Sequence, residues 1–251
     1  MVSEEIYYGL GDDPVLGKFI AHYPSDRTRL LLIAGGVLAV VWFITTVILW
    51  GVEDRVAFPV TVIVLSLSTL VVGWFLAHWW NREVVMYERG FSYREGSHTA
   101  FIRYADVSRL RQRAERRSYF GGRVRRTVYD ISITTDQEEH IHLNKLYRRV
   151  DELSLRFDQR VTAALLEKAH KTLDEGGRLS FGSGLSLSGE GIHDSEHLLP
   201  WEDVGGHNVQ NRQLHIHMRG GDVWTAVPLA GLDNLRLLVE LLRENTPEDT
   251  S

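Results

Sequence analysis

The chain has 251 residues, a formal net charge of −5 and no cysteine. So mild a negative balance offers no overall attraction to a polyanion, and the missing thiols exclude disulfides, thiolate zinc sites and cysteine nucleophiles. Charge is nevertheless segregated, with twelve Arg against five Asp and Glu over residues 81–126 and four Arg against eleven acids over residues 179–251.

Residues 1–29 read as a polar N-terminal arm. From Leu30 to Trp50 the chain runs twenty-one residues without a charge, which as a helix reaches about 31 Å, the thickness of a bilayer's hydrocarbon core. A second uncharged run predicts a helix over 57–78, with Pro59 in its first turn where a missing N–H does no harm. Only Gly51 to Arg55 separates the runs, so 30–80 is predicted to be a two-helix transmembrane hairpin. The long arm before it argues for a retained anchor and against a cleaved signal. Lys18, Arg27 and Arg29 precede the hairpin, Arg82, Arg89 and Arg94 follow it, and the loop holds only Arg55 beside Glu53 and Asp54. By the positive-inside rule both termini are expected in the cytoplasm of a multi-pass inner (plasma) membrane protein. Neither span contains an Asp, Glu, Lys or Arg, so the hairpin reads as an anchor and not as a transport path.

Beyond Trp80 the apolar runs become short and alternating. Val84 to Glu88, Phe91 to Arg94, Ala100 to Tyr104, Val128 to Thr134 and His140 to Leu143 read as strands. A helix over 148–175 follows, with Val150, Leu153, Phe157, Val161, Ala164, Leu165 and Ala169 as its apolar stripe, ending at Gly176 and Gly177. The pattern then recurs. Leu185 to Ser188, Gly191 to His193, Leu214 to Met218 and Val223 to Val227 read as strands, and Leu232, Leu235, Leu238, Val239 and Leu242 as a closing helical stripe. Tyr104-Ala105-Asp106-Val107 matches Trp201-Glu202-Asp203-Val204, and Val150-Asp151-Glu152-Leu153 matches Leu232-Asp233-Asn234-Leu235, in the same order. Such ordered matches argue for an internal duplication, with a first module over 81–177, a second over 178–246 and a tail over 247–251.

The Gly-hydrophobic turn, the aromatic-x-Asp-Val corner, the strand meander and the terminal helix resemble the PH-like fold of bacterial membrane proteins. The order of parts is similar to a bacterial family catalogued only as a domain of unknown function. The likeness rests on Leu16-Gly17-Lys18-Phe19-Ile20-Ala21-His22-Tyr23, on a two-span hairpin, on Gly177, Phe181 and Gly182, and on Leu199-Pro200-Trp201. It implies a membrane α-helical hairpin joined to an α+β cytoplasmic region of tandem PH-like modules, antiparallel strands closed by a C-terminal helix. No established activity comes with it.

The densest chemical signal lies over residues 109–126, which hold eight Arg around an aromatic-Gly-Gly turn. Arg109, Arg111, Arg113, Arg116, Arg117, Tyr119, Phe120, Arg123, Arg125 and Arg126 are the candidate lipid- or partner-binding residues. Near anionic lipid each cation contributes on the order of 1 kcal/mol, and the attraction fades within a Debye length. Competing readings are a solvated charged loop that only reinforces cytoplasmic orientation, and contact with the acidic second module, another protein or a second copy of the chain. Nucleic acid is not expected, because no recognition helix or stacking platform accompanies the arginines.

His140/His142 and His215/His217 have strand-face spacing but no accompanying Cys or carboxylate, so no metal is expected. The glycines over 182–189 lack the spacing of a phosphate loop and read as turns. Asp106 and Asp203, one per module, read as corner residues. The expected function is therefore a membrane-anchored adaptor or scaffold at the cytoplasmic face, without enzyme activity or cofactor. The alternative is a small-ligand sensor using the interface between modules, and an unrecognised enzyme ranks third.

Overall fold

The computed structural model describes residues 11–50, 57–119, 124–195 and 197–246, with residues 49, 50, 57, 113–119 and 124–129 described by backbone alone. Among these residues the fold is α+β, and its sheets are antiparallel meanders. The chain packs as two compact units, one built from the chain up to Ile102 with Leu146–Arg149, the other from Arg103–Lys145 and from Val150 onward.

The first unit contains β1 (Phe19–Pro24), α1 (Arg27–Trp50), α2 (Ala57–Trp80), β2 (Glu83–Tyr87), β3 (Gly90–Glu95) and β4 (His98–Arg103), with strand order β1-β2-β3-β4. Asp26 starts α1. Its carboxylate accepts from the Arg29 N–H at 3.2 Å and its carbonyl from the Leu30 N–H at 2.9 Å, satisfying donors that a helix start leaves open. Arg27–Ile48 and Phe58–Trp80 are each long and apolar enough to cross a membrane, and neither is buried within the protein. Leu32, Phe43, Phe58 and Trp74 are 73, 71, 78 and 72 % exposed, which excludes the core helix of a soluble domain as their explanation.

The segment read as an arm holds a strand. β1 buries Ala21 and Tyr23 at alternate positions and pairs with β2, Tyr23 opposite Val84 and Pro24 opposite Glu83. The hairpin is thus an excursion between two neighbouring strands. Ser25 fastens its ends: the backbone N–H donates to Arg82 O at 2.9 Å, and the hydroxyl donates to Trp80 O at 3.0 Å. At the same end the Arg27 guanidinium lies 5.1 Å over the Trp80 ring and that of Arg82 3.8 Å over Trp79, a cation–aromatic collar suited to a membrane–water boundary. Leu146–Arg149 closes on this point, with Asp26 N–H donating to Leu146 O at 2.6 Å and Arg148 N–H to Pro24 O at 3.0 Å.

The second unit begins at a 3₁₀ turn, Tyr104–Asp106, and continues through β5 (Val107–Tyr119), β6 (Val124–Thr135), β7 (His140–Leu143) and α3 (Val150–Asp174). There follow β8 (Arg178–Gly182), β9 (Leu185–Ser188), β10 (Gly191–Asp194) and β11 (His197–Pro200), another 3₁₀ turn at Trp201–Asp203, then β12 (Val204–Gln210), β13 (Gln213–Met218), β14 (Val223–Pro228) and α4 (Leu235–Asn245). Strand orders are β5-β6-β7, β11-β10-β9-β8 and β12-β13-β14. The predicted stripe of α3 is buried at Leu153, Phe157, Val161, Leu165 and Ala169, and Tyr104 meets Phe157 edge-on at 6.5 Å.

The two 3₁₀ corners share atomic detail. Asp106 O accepts from Asp136 N–H at 2.8 Å, and Asp203 O accepts from Arg219 N–H at 2.9 Å. Each corner leads into a strand whose register slips at once, between Val107 and Arg109 and between Val204 and Gly206. In the second corner a Cβ on Gly205 would lie 2.4 Å from Met218 O, so only glycine fits the bulge.

One residue ties β5 to the start of α4. Asn234 adopts the left-handed conformation (φ 48, ψ 43). Its Oδ1 accepts from Leu110 N–H at 2.8 Å, its Nδ2 donates to Ser108 O at 2.9 Å, and its own N–H donates to Leu110 O at 2.8 Å. Asn234→Ala removes both side-chain bonds and leaves a non-glycine residue in the left-handed region, so it is expected to cost about 1–3 kcal/mol. Asn234→Gly loses the same bonds without the strain and is expected to cost less. Hydrogen exchange at residues 108–110 of the full chain measures both, and equal protection in all three proteins contradicts the assignment.

Candidate functional site

The candidate binding residues fall on the longest hairpin of the second unit. β5 and β6 pair without interruption from Arg109↔Thr134 to Tyr119↔Val124, whereas β7 joins β6 only at Ile131–Thr134. From Arg113 to Tyr119 the hairpin is therefore a two-stranded ribbon extending past the third strand. Its register sets Arg113 opposite Asp130, Arg116 opposite Thr127, Arg117 opposite Arg126 and Ser118 opposite Arg125. Opposed like charges destabilise a strand pair unless counter-charge neutralises them.

The ten residues do not share one environment. Arg109 is exposed. Arg111 is engaged inside the fold: its Nη2 lies 2.8 Å and its Nε 2.9 Å from Oδ1 of Asp233, a carboxylate that is only 6 % exposed. Arg113, Arg116, Arg117 and Tyr119 occupy β5 and Arg125 and Arg126 occupy β6, all described by backbone alone. Phe120 and Arg123 lie outside the described residues.

The other singled-out residues have structural surroundings. Asp106 holds Arg103 through two bonds of 2.8 and 3.0 Å, which raise the Arg103 guanidinium above its usual range. His140 meets Thr134 Oγ1 at 3.1 Å, and His142 Nε2 lies 3.1 Å from Asp130. The His215 and His217 rings stack 6.5 Å apart with both Nε2 atoms buried. Among the described residues no three His, Cys, Asp or Glu side chains gather as a metal-ligand set. Gly182 and Gly184, at φ +83 and +80, form the β8–β9 turn.

Sequence reasoning misses a cleft of about 840 Å³ in the second unit. β5 supplies Leu110 and Gln112, α3 supplies Ser154 and Asp158, the β12–β13 turn supplies Arg212, and α4 supplies Leu235, Arg236 and Val239. Leu110 and Leu232 are buried in its lining, and Gln112 donates to Ser154 O at 2.9 Å. The only sign of it in the sequence is on α4: Leu235 and Val239 belong to the predicted apolar stripe yet are half-exposed in the cleft, while Leu237 and Leu241 are buried instead.

Asp158 sits in the cleft wall with Arg236 Nη1 3.7 Å away, and Arg236 Nε donates to Glu240 at 3.0 Å. Burial raises the Asp158 carboxyl above its usual range, and Arg236 offsets this only in part. A raised folded-state pKa means that stability is fully present below the unfolded value and is lost as pH rises through the folded one. Asp158→Asn, which fixes an uncharged side chain, is therefore expected to melt higher than the parent at pH 7. The difference should vanish near pH 4, and a melting series over that range checks it.

No curated protein and no solved structure matches the chain. A family model described as a family of unknown function (DUF6585) matches residues 8–250, so the chain belongs to that family.

Proposed function

We propose that the chain is a membrane-anchored binding module, an adaptor or scaffold held at the cytoplasmic face of the inner membrane, whose Arg-rich ribbon engages anionic lipid headgroups. The observation that carries this reading is the two-stranded β5–β6 extension with arginines on both strands and Arg117 set opposite Arg126. Each arginine brought near an anionic surface adds on the order of 1 kcal/mol.

In this reading the fold is a tandem of PH-like modules. The first takes β1 to β7 and α3, with the hairpin inserted between its first two strands, and the second takes β8 to β14 and α4. The common order of four strands, a 3₁₀ corner, three strands and a helix supports it. Orientation rests on Lys18, Arg27, Arg29, Arg82, Arg89 and Arg94 at one end of the hairpin. A second reading, a small-ligand sensor at the junction of the modules, is favoured by the cleft between β5, α3, the β12–β13 turn and α4.

The absence of cysteine makes single labels unambiguous. In intact cells Asp54→Cys is expected to react with an impermeant maleimide, and Ser97→Cys only after permeabilisation; the reverse pattern refutes the orientation. For lipid contact, Ser118→Cys carrying a fluorophore in full-length protein should be quenched by headgroup-attached quencher in nanodiscs containing phosphatidylglycerol but not in phosphatidylcholine alone. Roughly 0.5 M salt, which shortens the Debye length to a few ångströms, should remove the quenching, as should Gln at positions 113, 116, 117 and 126. Equal, salt-insensitive quenching in both discs eliminates lipid as the target.

A further inference from the structure

The cleft of the second unit has a lining from which a class of ligand can be read. Its volume of about 840 Å³ is that of small-molecule pockets. Its wall is mainly apolar: Leu110 and Leu232 are buried, and Leu235 and Val239 present half-exposed apolar surface from α4. Its charged groups are not equivalent. Asp158 and Arg236 face each other at 3.7 Å, and Glu240 takes a second bond from Arg236, so these charges are answered within the chain. Arg212, at the tip of the β12–β13 turn, is exposed, and its side chain has no partner among the described residues.

The backbone at Arg212 is left-handed. The two-residue turn places Asn211 at φ 52 and Arg212 at φ 62. Asn tolerates that region and Gly is the unstrained choice for the second position. Glu138, Arg149, Ser183 and Ser195 hold similar left-handed positions, so the turn does not by itself mark Arg212, and Arg212→Gly is a substitution the backbone accepts.

We propose that the cleft binds an amphiphilic acid, with an acyl- or aryl-sized apolar body against Leu110, Leu232, Leu235 and Val239 and one anionic group on Arg212. This rests on reading the cleft as a ligand site and adds the chemical class. An amine-headed amphiphile would find only Asp158, which already faces Arg236.

The full chain in phosphatidylcholine nanodiscs is photolabelled with a diazirine analogue of palmitate and, separately, with the matching diazirine analogue of hexadecanol. Labelled peptides are then mapped by mass spectrometry. The acid is expected to label residues 228–239 and 154–158 roughly tenfold more than the alcohol, the factor expected for one charge-assisted bond. Val239→Trp, at a half-exposed position, fills the cleft and should remove that labelling while leaving labelling of α1 and α2 unchanged. Arg212→Gly should bring the acid down to the level of the alcohol while the melting midpoint stays or rises, since glycine relaxes the turn. Cleft labelling that survives Val239→Trp, or labelling confined to α1 and α2, overturns the ligand site itself. Equal labelling by acid and alcohol, both blocked by Val239→Trp, leaves a ligand site and overturns only the acid. A lower midpoint for Arg212→Gly assigns that arginine to the fold and also defeats the proposal.

Discussion

The first unit depends on the pairing of β1 with β2 across the inserted hairpin. Two neighbouring strands of one sheet can flank a long excursion only if the chain leaves and returns at the same place, and an antiparallel helix pair does this by construction. A single span would deliver β2 to the far side of a bilayer from β1. The bond from the Ser25 hydroxyl to Trp80 O, the Arg–Trp stacks and the closure by Leu146–Arg149 all act at this junction. In hydrocarbon a helix satisfies its own backbone, so the strand pair is free to fix where the hairpin starts and ends.

The second unit has its own tie, between β5 and the turn before α4. Asp233 is a buried carboxylate, and a buried charge without a partner is costly. Arg111 supplies the partner, while Asn234 returns the ladder bonds of Ser108 and Leu110. A run of arginines that looks uniform in sequence is therefore divided in space. Arg109 is exposed and Arg111 is committed to the core's edge, whereas from Arg113 onward no third strand lies beside the ribbon among the described residues.

What could be read in advance follows from periodicity. α1, α2 and α3 were legible because long apolar runs and a four-residue stripe have few rival explanations, and β7 and β13 because their alternation is clean. β1 was missed because it lies in a polar arm and gains its sense only from β2, far along the chain. β8, β11 and β12 each bury a single residue, Phe181, Leu199 and Val204, and lack an apolar alternation in sequence, and β12 opens on a Gly-Gly bulge. Composition showed where the arginines concentrate. It could not show that one of them meets a carboxylate 122 positions away, since such pairs are set by packing.

α4 holds the last lesson. Leu235, Leu237, Leu238, Val239, Leu241 and Leu242 give this eleven-residue helix one broad apolar face, opposite Arg236, Glu240, Arg243 and Glu244. The fold buries Leu237, Leu238, Leu241 and Leu242 and leaves Leu235 and Val239 to the cleft. That edge of the apolar face, with Leu110 and Leu232 in the same lining, is the surface that the proposed ligand would cover.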